Sequence, residues 1–575
     1  MTLIFQDEFQ RTLPKLIAQA ALDNCSTVEA WTFDDQASRR AAEARLAEIG
    51  IKARFRSAYK PLLHFFLEDV DISTLNAITV VYPRHPDCSE NRFLCETYPL
   101  AALVGETTLA FEAGECGEFT YRAILTDKNG ISSIHSVLAP NRVHLDACGA
   151  TRVSPTGWIR IGNKTDERLK TDYETVYEAT LQAITSFDWG QTEPYFDELN
   201  LLISLPSRDC RLPIGEEVIS LGEGMVEDLY FSLLEYFQVK SGRVAGDFTA
   251  RPGQIVPEIR FAEQDAPLAL RVEVRSLANG ESNGQSQDLD WAERPISPDQ
   301  IRAELASIAG EAFEAHSRSG RTINARYHKG EDRSVFISAG QHPNETTGIV
   351  GALRAARQLS ARQTAHFVIA PLENPDGYEL HARLRAVNPH YHHHAARYTA
   401  FGDELANRVT DPLFEKQIRK EAERRSGACL HLNLHGYSSH EWTRPLSGYL
   451  PRGFEKWAAP KGFFLIMVHH ADWTVCAEQL IGMVTARLGR LPPLIEFNRV
   501  QISLFEKHFG ETGFQMINGI PCLVQTDDKR SVPLTLISEY PDQTIYGGAF
   551  RAGHDVQTEF VLSAYEAYQQ LAATP

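Results

Sequence analysis

The chain has 575 residues, of which 43% are hydrophobic and 23% charged, and its formal net charge is −18. At roughly 100–200 residues per domain this is about two to four domains with sizeable cores, which excludes a disordered or fibrous chain. So negative a chain repels phosphate backbones and argues against nucleic acid as a partner. The nine cysteines are scattered, and no two have Cys-x-x-Cys spacing. That speaks against a disulfide framework, a zinc ribbon or a thioredoxin-type site, and for free thiols in a reducing compartment. The opening MTLIFQDEFQRTLPKLIAQA has no basic start leading into an apolar run, and no stretch reaches about 18 uninterrupted apolar residues. The expectation is a cytoplasmic protein with no membrane partner.

In chain order, helical periodicity covers 10–23 and 36–49. Short apolar or alternating runs follow at Ala77–Tyr82, Thr107–Phe111, Phe119–Leu125 and Ile131–Leu138, separated by Gly, Pro, Asp and Asn, and read as strands. Residues 171–186 read as a helix, 198–204 as a strand, 224–238 as a helix and 255–275 as one or two strands. Gly222 and Gly224 lack the spacing of a phosphate-binding loop and read as turns. Residues 276–297 are polar and rich in Gly, Ser and Asn, and read as a linker. The expected division is an α+β accessory domain over 1–165, a second accessory α/β region over 166–297, and a catalytic domain over 298–575.

Beyond 298 the pattern alternates. Helices are expected at 299–316, 347–360, 412–425, 474–489 and 554–571, and strands at Ser334–Ala339, Ala365–Ala370, Cys429–Leu434, Phe463–Val468 and Leu534–Ile537. Several strands are near-continuous apolar runs, as in sheets covered on both faces. The fold class is α/β: a layered domain with a mixed, mostly parallel sheet, whose chemistry should collect beyond strand C-termini.

Four motifs stand at such strand ends. The first strand leads into Gly340-Gln-His342-Pro-Asn-Glu345, whose imidazole and carboxylate can reach one metal ion. The second ends in Asn374-Pro-Asp-Gly-Tyr378, which is turn chemistry. The third ends in His435-Gly436, where a third metal ligand would stand, and the fourth in Glu539. Taken together and in this order, the motifs resemble the zinc carboxypeptidase family (carboxypeptidase A-like metallopeptidases) over roughly 298–575. The resemblance implies one zinc ion held by His342, Glu345 and His435, with Glu539 as general base and then acid. It also implies an arginine after the Asn-Pro-Asp-Gly turn that assists the oxyanion; Arg383 fits best, with Arg385 as runner-up.

The family's Asn-Arg pair for the substrate carboxylate is missing. The corresponding stretch reads Asn388-Pro-His-Tyr-His392-His393-His394-Ala-Ala-Arg397. Arg397, His393 and Asn374 are therefore candidates for substrate contact, and the histidine run could equally hold a second metal or lie on the surface. Tyr437, Tyr540 and Tyr546 are candidates for the family's mobile tyrosine, and Asp527-Asp528 for a pocket favouring basic side chains. The expected activity is a zinc-dependent metallocarboxypeptidase acting on peptides. The alternatives are a zinc deacylase of N-acyl amino acids, like the aspartoacylase-type relatives, or a peptide-binding protein without turnover. The N-terminal half is then free to restrict access to the cleft or to build a homo-oligomer.

Overall fold

A computed structural model describes residues 1–22, 25–162, 165–264, 266–278, 280 and 284–571. Among these, the C-terminal region is built on a nine-stranded mixed sheet. Its order is Glu311–His316, Thr322–His328, Phe367–Ala370, Val335–Ala339, Leu430–Ser438, Leu534–Gln543, Phe464–His469, Ile520–Thr526 and Gln515–Ile517. Pairing is parallel from Phe367–Ala370 through Leu534–Gln543 and again between Phe464–His469 and Ile520–Thr526. The other neighbours pair antiparallel. The sheet is thus mixed rather than mostly parallel, with a parallel centre, an antiparallel pair at each edge and one further parallel pair near the second edge.

The central strands are buried along their whole length, which is why they read as apolar runs. Alternate residues feed two cores. Val335, Ile337, Leu432, Leu534 and Leu536 join the helices Thr347–Ser360, Thr474–Leu488 and Gly547–Gln569 on one face. Phe336 and Val368 join Ile418 and Ala422 of the helix Gln417–Ser426 on the other. The expected helix over 299–316 stops early. Pro298–Ser307 is helical, capped by Ser297, and Glu311–His316 is an edge strand. Gly310 makes the break with φ 139°, where a Cβ would lie 2.4 Å from the Tyr327 carbonyl oxygen.

The N-terminal half does not follow the expected boundary at 165/166. The strand Thr2–Phe9 pairs with Leu268–Arg275, which continues through Glu198–Leu205 to Gln254–Phe261, so one sheet draws on both segments. Part of the expected linker, residues 279 and 281–283, lies outside the described residues. Of the rest, Leu289, Ala292 and Ile296 belong to the C-terminal core and Arg321 donates to the carbonyls of Ala278 and Gly280, while residues 284–286 are exposed.

The two halves share a core. Leu380, Leu384, Tyr391, Trp442 and Tyr449 pack with the strands Glu198–Leu205 and Gln254–Phe261 and the helix Leu221–Lys240. This helix is buried on nearly every side and points carboxylates into the C-terminal half. Asp228 accepts from Leu446 N (2.6 Å) and Ser447 Oγ (2.5 Å), and Glu235 pairs with Arg444 at 2.7 Å. Buried charges of this kind persist only when paired and hydrogen-bonded. Among the described residues no helix is long and apolar enough to cross a membrane.

Candidate metal centre and active site

The strand Val335–Ala339 ends in a tight turn at Gly340 (φ 63°), where a Cβ would come within 2.9 Å of Leu372. The turn delivers His342 and Glu345 just ahead of the helix Thr347–Ser360. His435 reaches the same point from the neighbouring strand Leu430–Ser438. His342 Nδ1 lies 2.9 Å from Glu345 Oε1, His435 Nδ1 lies 2.9 Å from Glu345 Oε2, and the two Nδ1 atoms are 3.0 Å apart. The three residues offer donor atoms that all lie within 4.8 Å of one another, and each residue is buried. Two imidazoles and a carboxylate are ordinary zinc ligands, and three ligands leave a position open. The donor set therefore fits a zinc ion.

The surroundings orient these groups. Glu404 Oε2 meets His342 Nε2 at 2.9 Å, and a carboxylate behind a ligating imidazole fixes its ring and raises its basicity. Gly436 N donates to Glu345 Oε2 at 3.0 Å. A Cβ on Gly436 would fall 2.0 Å from Asp542 Oδ1, so only glycine fits there. Asp542 accepts from Thr347 N and Oγ1 (2.8 and 2.6 Å), and burial pushes its carboxyl up to about 8. Burial would raise Glu345 too, but the charges of His342 and Arg397 hold it well below the usual carboxylate range.

Glu539 sits beside His435 in register on the adjacent parallel strand. Its Oε2 is buried and has no hydrogen-bond partner. Burial, reinforced by the Glu345 charge, pushes its carboxyl well above the ordinary value. Lys461 lies in the same field. Burial brings its ammonium down to about 7, against the pull of Glu539, and its Nζ stands 4.1 Å over the Trp457 ring.

Of the other expected residues, Arg397 reaches this group: its guanidinium donates to Glu345 Oε1. Arg383 does not. It bonds both carboxylate oxygens of Glu198 at 3.0 Å and so ties the helix Pro375–Arg385 to the N-terminal half. Arg383 is thus engaged with Glu198, and Arg397 is the arginine at the cluster. Asn374 caps that helix, accepting from Gly377 N at 3.0 Å and donating to the Tyr398 carbonyl. His393, with φ 54°, uses its Nε2 on the Asn388 carbonyl at 2.8 Å. Asn374 and His393 thus both hydrogen-bond to nearby backbone. Tyr437 donates to the Gly462 carbonyl, Tyr540 stacks on Phe497, and Tyr546 donates to the Pro389 carbonyl. Asp528 accepts from Ala471 N and Asp527 from Lys529 N, as turn residues do.

Glu404, Asp542 and Lys461 were not singled out in the sequence. Lys461 stands just before an expected strand and offered a weak signal, whereas Glu404 lies in an irregular segment with none.

Residues 300–436 match the zinc carboxypeptidase family model. The C-terminal region is therefore zinc carboxypeptidase-like; the matched residues include His342, Glu345 and His435, and Glu539 lies beyond them. No curated protein matches the chain. Among solved structures the chain is similar to a metallo-carboxypeptidase from Burkholderia cenocepacia, with 14% identity over 53% of this chain and 72% of that one and a TM-score of 0.29. It is similar to carboxypeptidase A from Helicoverpa armigera, with 12% identity over 54% and 90% and a TM-score of 0.31. It is also similar to a metallo-carboxypeptidase from Pseudomonas aeruginosa in complex with (2-guanidinoethylmercapto)succinic acid, with 14% identity over 53% and 76% and a TM-score of 0.28.

Proposed function

We propose that the C-terminal region is a zinc-dependent metallocarboxypeptidase that hydrolyses the amide bond at the C-terminus of a peptide. His342, Glu345 and His435 would hold the zinc. The observation that carries this reading is the convergence of those three donor sets within a stretch matching the zinc carboxypeptidase model. When bound, zinc supplies a Lewis acid that polarises a carbonyl and brings the pKa of a coordinated water down towards about 7.

The chain's own residues do the rest. Glu539 holds a proton at its unpartnered Oε2 and moves it between water and the leaving amine, a task suited to a carboxyl whose pKa is raised by burial. Arg397, fully charged beside Glu345, supplies positive potential where an oxyanion or a substrate carboxylate would sit. The N-terminal half restricts access: its helix Leu221–Lys240 packs on the segment carrying His392 to Arg397. The test is hydrolysis of a dipeptide panel by the zinc-loaded protein. Loss of turnover in Glu539→Gln with metal content unchanged supports the reading, and an unaffected variant removes Glu539 from it.

A second reading is a zinc deacylase of N-acyl amino acids. The engagement of Arg383 with Glu198 favours it, because it leaves the peptidase without that arginine. Preference for N-acyl amino acids over dipeptides in the same assay decides between the two.

A further inference from the structure

A second group of the same composition lies between the two halves. Glu223 comes from the helix Leu221–Lys240 of the N-terminal half, His392 from the segment after Asn388, and His440 from the chain just past the strand Leu430–Ser438. We propose that Glu223, His392 and His440 form a second binding site for a divalent metal ion of the zinc type, which joins the N-terminal half to the C-terminal region.

The geometry repeats that of the first group. Glu223 sets Oε1 2.9 Å from His392 Nδ1 and Oε2 2.8 Å from His440 Nε2. One carboxylate thus serves two imidazoles with one oxygen each, as Glu345 does for His342 and His435. Ligands about 2.0–2.1 Å from a tetrahedral ion stand roughly 3.3 Å apart, so both groups accept an ion with an opening of about half an ångström. Two nitrogens and a carboxylate suit zinc and the neighbouring late transition ions, whereas magnesium and calcium call for shells of oxygen.

The independent observation is His392. Its side chain is completely buried (0% exposed), yet neither ring nitrogen makes a hydrogen bond; Nδ1 is near Glu223 but out of line for one. A neutral imidazole carries an N–H that burial leaves unsatisfied unless something takes it up. A metal ion would take the Nδ1 lone pair and place the ring N–H at Nε2, so it engages one of the two unpartnered nitrogens. The rings of His392 and His440 also stack at 3.9 Å with 28° between their planes, a contact that two imidazolium ions would resist. Outer contacts hold the donors: His392 N donates to Glu223 Oε1 at 2.8 Å, and Thr544 Oγ1 lies 3.3 Å from His440 Nδ1. Asn344, between His342 and Glu345, donates to the His392 carbonyl at 3.1 Å and connects the two groups.

The test counts metal on the full-length protein. Wild type and the His342→Ala/His435→Ala variant are stripped with EDTA, loaded with zinc, desalted and assayed by mass spectrometry. The expected content is two zinc ions per wild-type chain and one in the variant, falling to none when His440→Ala is added. If the first-group variant does not fold, wild type against His440→Gln gives the same decision, as two ions against one. Cobalt loaded into the remaining site should give visible d–d absorption. The proposal is overturned if the first-group variant retains no metal, which leaves Glu223 and His440 as a plain buried ion pair. It is also overturned if the retained ion survives His392→Ala/His440→Ala. One ion in wild type and one in the first-group variant would instead defeat the metal assignment under the proposed function and leave this one standing.

Discussion

Glu345 and Glu223 each place two carboxylate oxygens against two imidazoles, at 2.9 and 2.9 Å in the first case and 2.9 and 2.8 Å in the second. What differs is the setting. The first group hangs from the ends of two central strands and a turn, with an arginine on its carboxylate and a buried carboxyl beside it whose Oε2 is unpartnered. The second is drawn from a helix of one half and two segments of the other, and no arginine or lysine hydrogen-bonds to its members among the described residues. The difference teaches that one glutamate and two histidines can be set in two quite different surroundings. Charged neighbours poised at strand ends suit chemistry, whereas enclosure between halves suits a joint.

The sharpest way to break this comparison is Glu539→Gln. It should lower the turnover number about 100- to 10,000-fold, as loss of a general base does, with zinc content unchanged in the same preparation. Glu223→Gln should do the reverse. It removes one partner of a buried charged group and should cost about 3–5 kcal/mol in denaturant unfolding, with a far smaller effect on turnover than Glu539→Gln. Equal effects of the two substitutions on turnover would erase the distinction between site and joint.

A contact between the halves that involves no such group serves as a reference. His508 accepts from Ala101 N at Nε2 (3.2 Å), and its Nδ1 lies 2.8 Å from Thr97 Oγ1. Burial, helped by the Lys60 charge, pushes its pKa down to about 3. The folded state then binds this proton less readily than the unfolded chain, so the contribution is complete above about pH 6.5 and is lost as pH falls towards 3. Each pH unit in that window should cost up to about 1.4 kcal/mol from this residue. Urea midpoints at pH 7 and pH 5 should converge in His508→Gln relative to wild type.

The smallest expected effect is that of Arg383→Ala. As a tie to Glu198 with a partly exposed guanidinium, it should cost about 1 kcal/mol or less and change turnover less than about threefold. A large fall in turnover would return Arg383 to the chemistry.

The first group is legible because its members stand directly after apolar runs that read as buried strands, and because the order of the motifs resembles that of the zinc carboxypeptidase family. Taken singly, His342, Glu345 and His435 each read equally as ordinary strand-end or loop residues. The second group was hidden. His392 was visible in a histidine run, but its partner Glu223 lies in a helix whose acidic residues look like a solvated face until the C-terminal half is packed on it. The tie of Arg383 was hidden for the same reason, since its partner Glu198 is distant in sequence. The start of the helix Pro375–Arg385 reads as a turn in the sequence, because Asn-Pro-Asp-Gly serves equally as a turn and as a cap with proline at the first helical position. The expected helix over 299–316 ran through Gly310 because its necessity rests on the approach of Tyr327, which periodicity does not register.

The pairing of Thr2–Phe9 with Leu268–Arg275 has a bearing on how the chain is made. The strand Thr2–Phe9 leaves the ribosome ahead of its partner, which follows on the order of 260 residues later. At about 5–20 residues per second that is roughly 13–50 s during which the strand waits unpaired. Its exposed pattern, with Asp7 and Glu8 among its outward residues, suits that wait, since charge on a bare edge discourages pairing with the wrong chain.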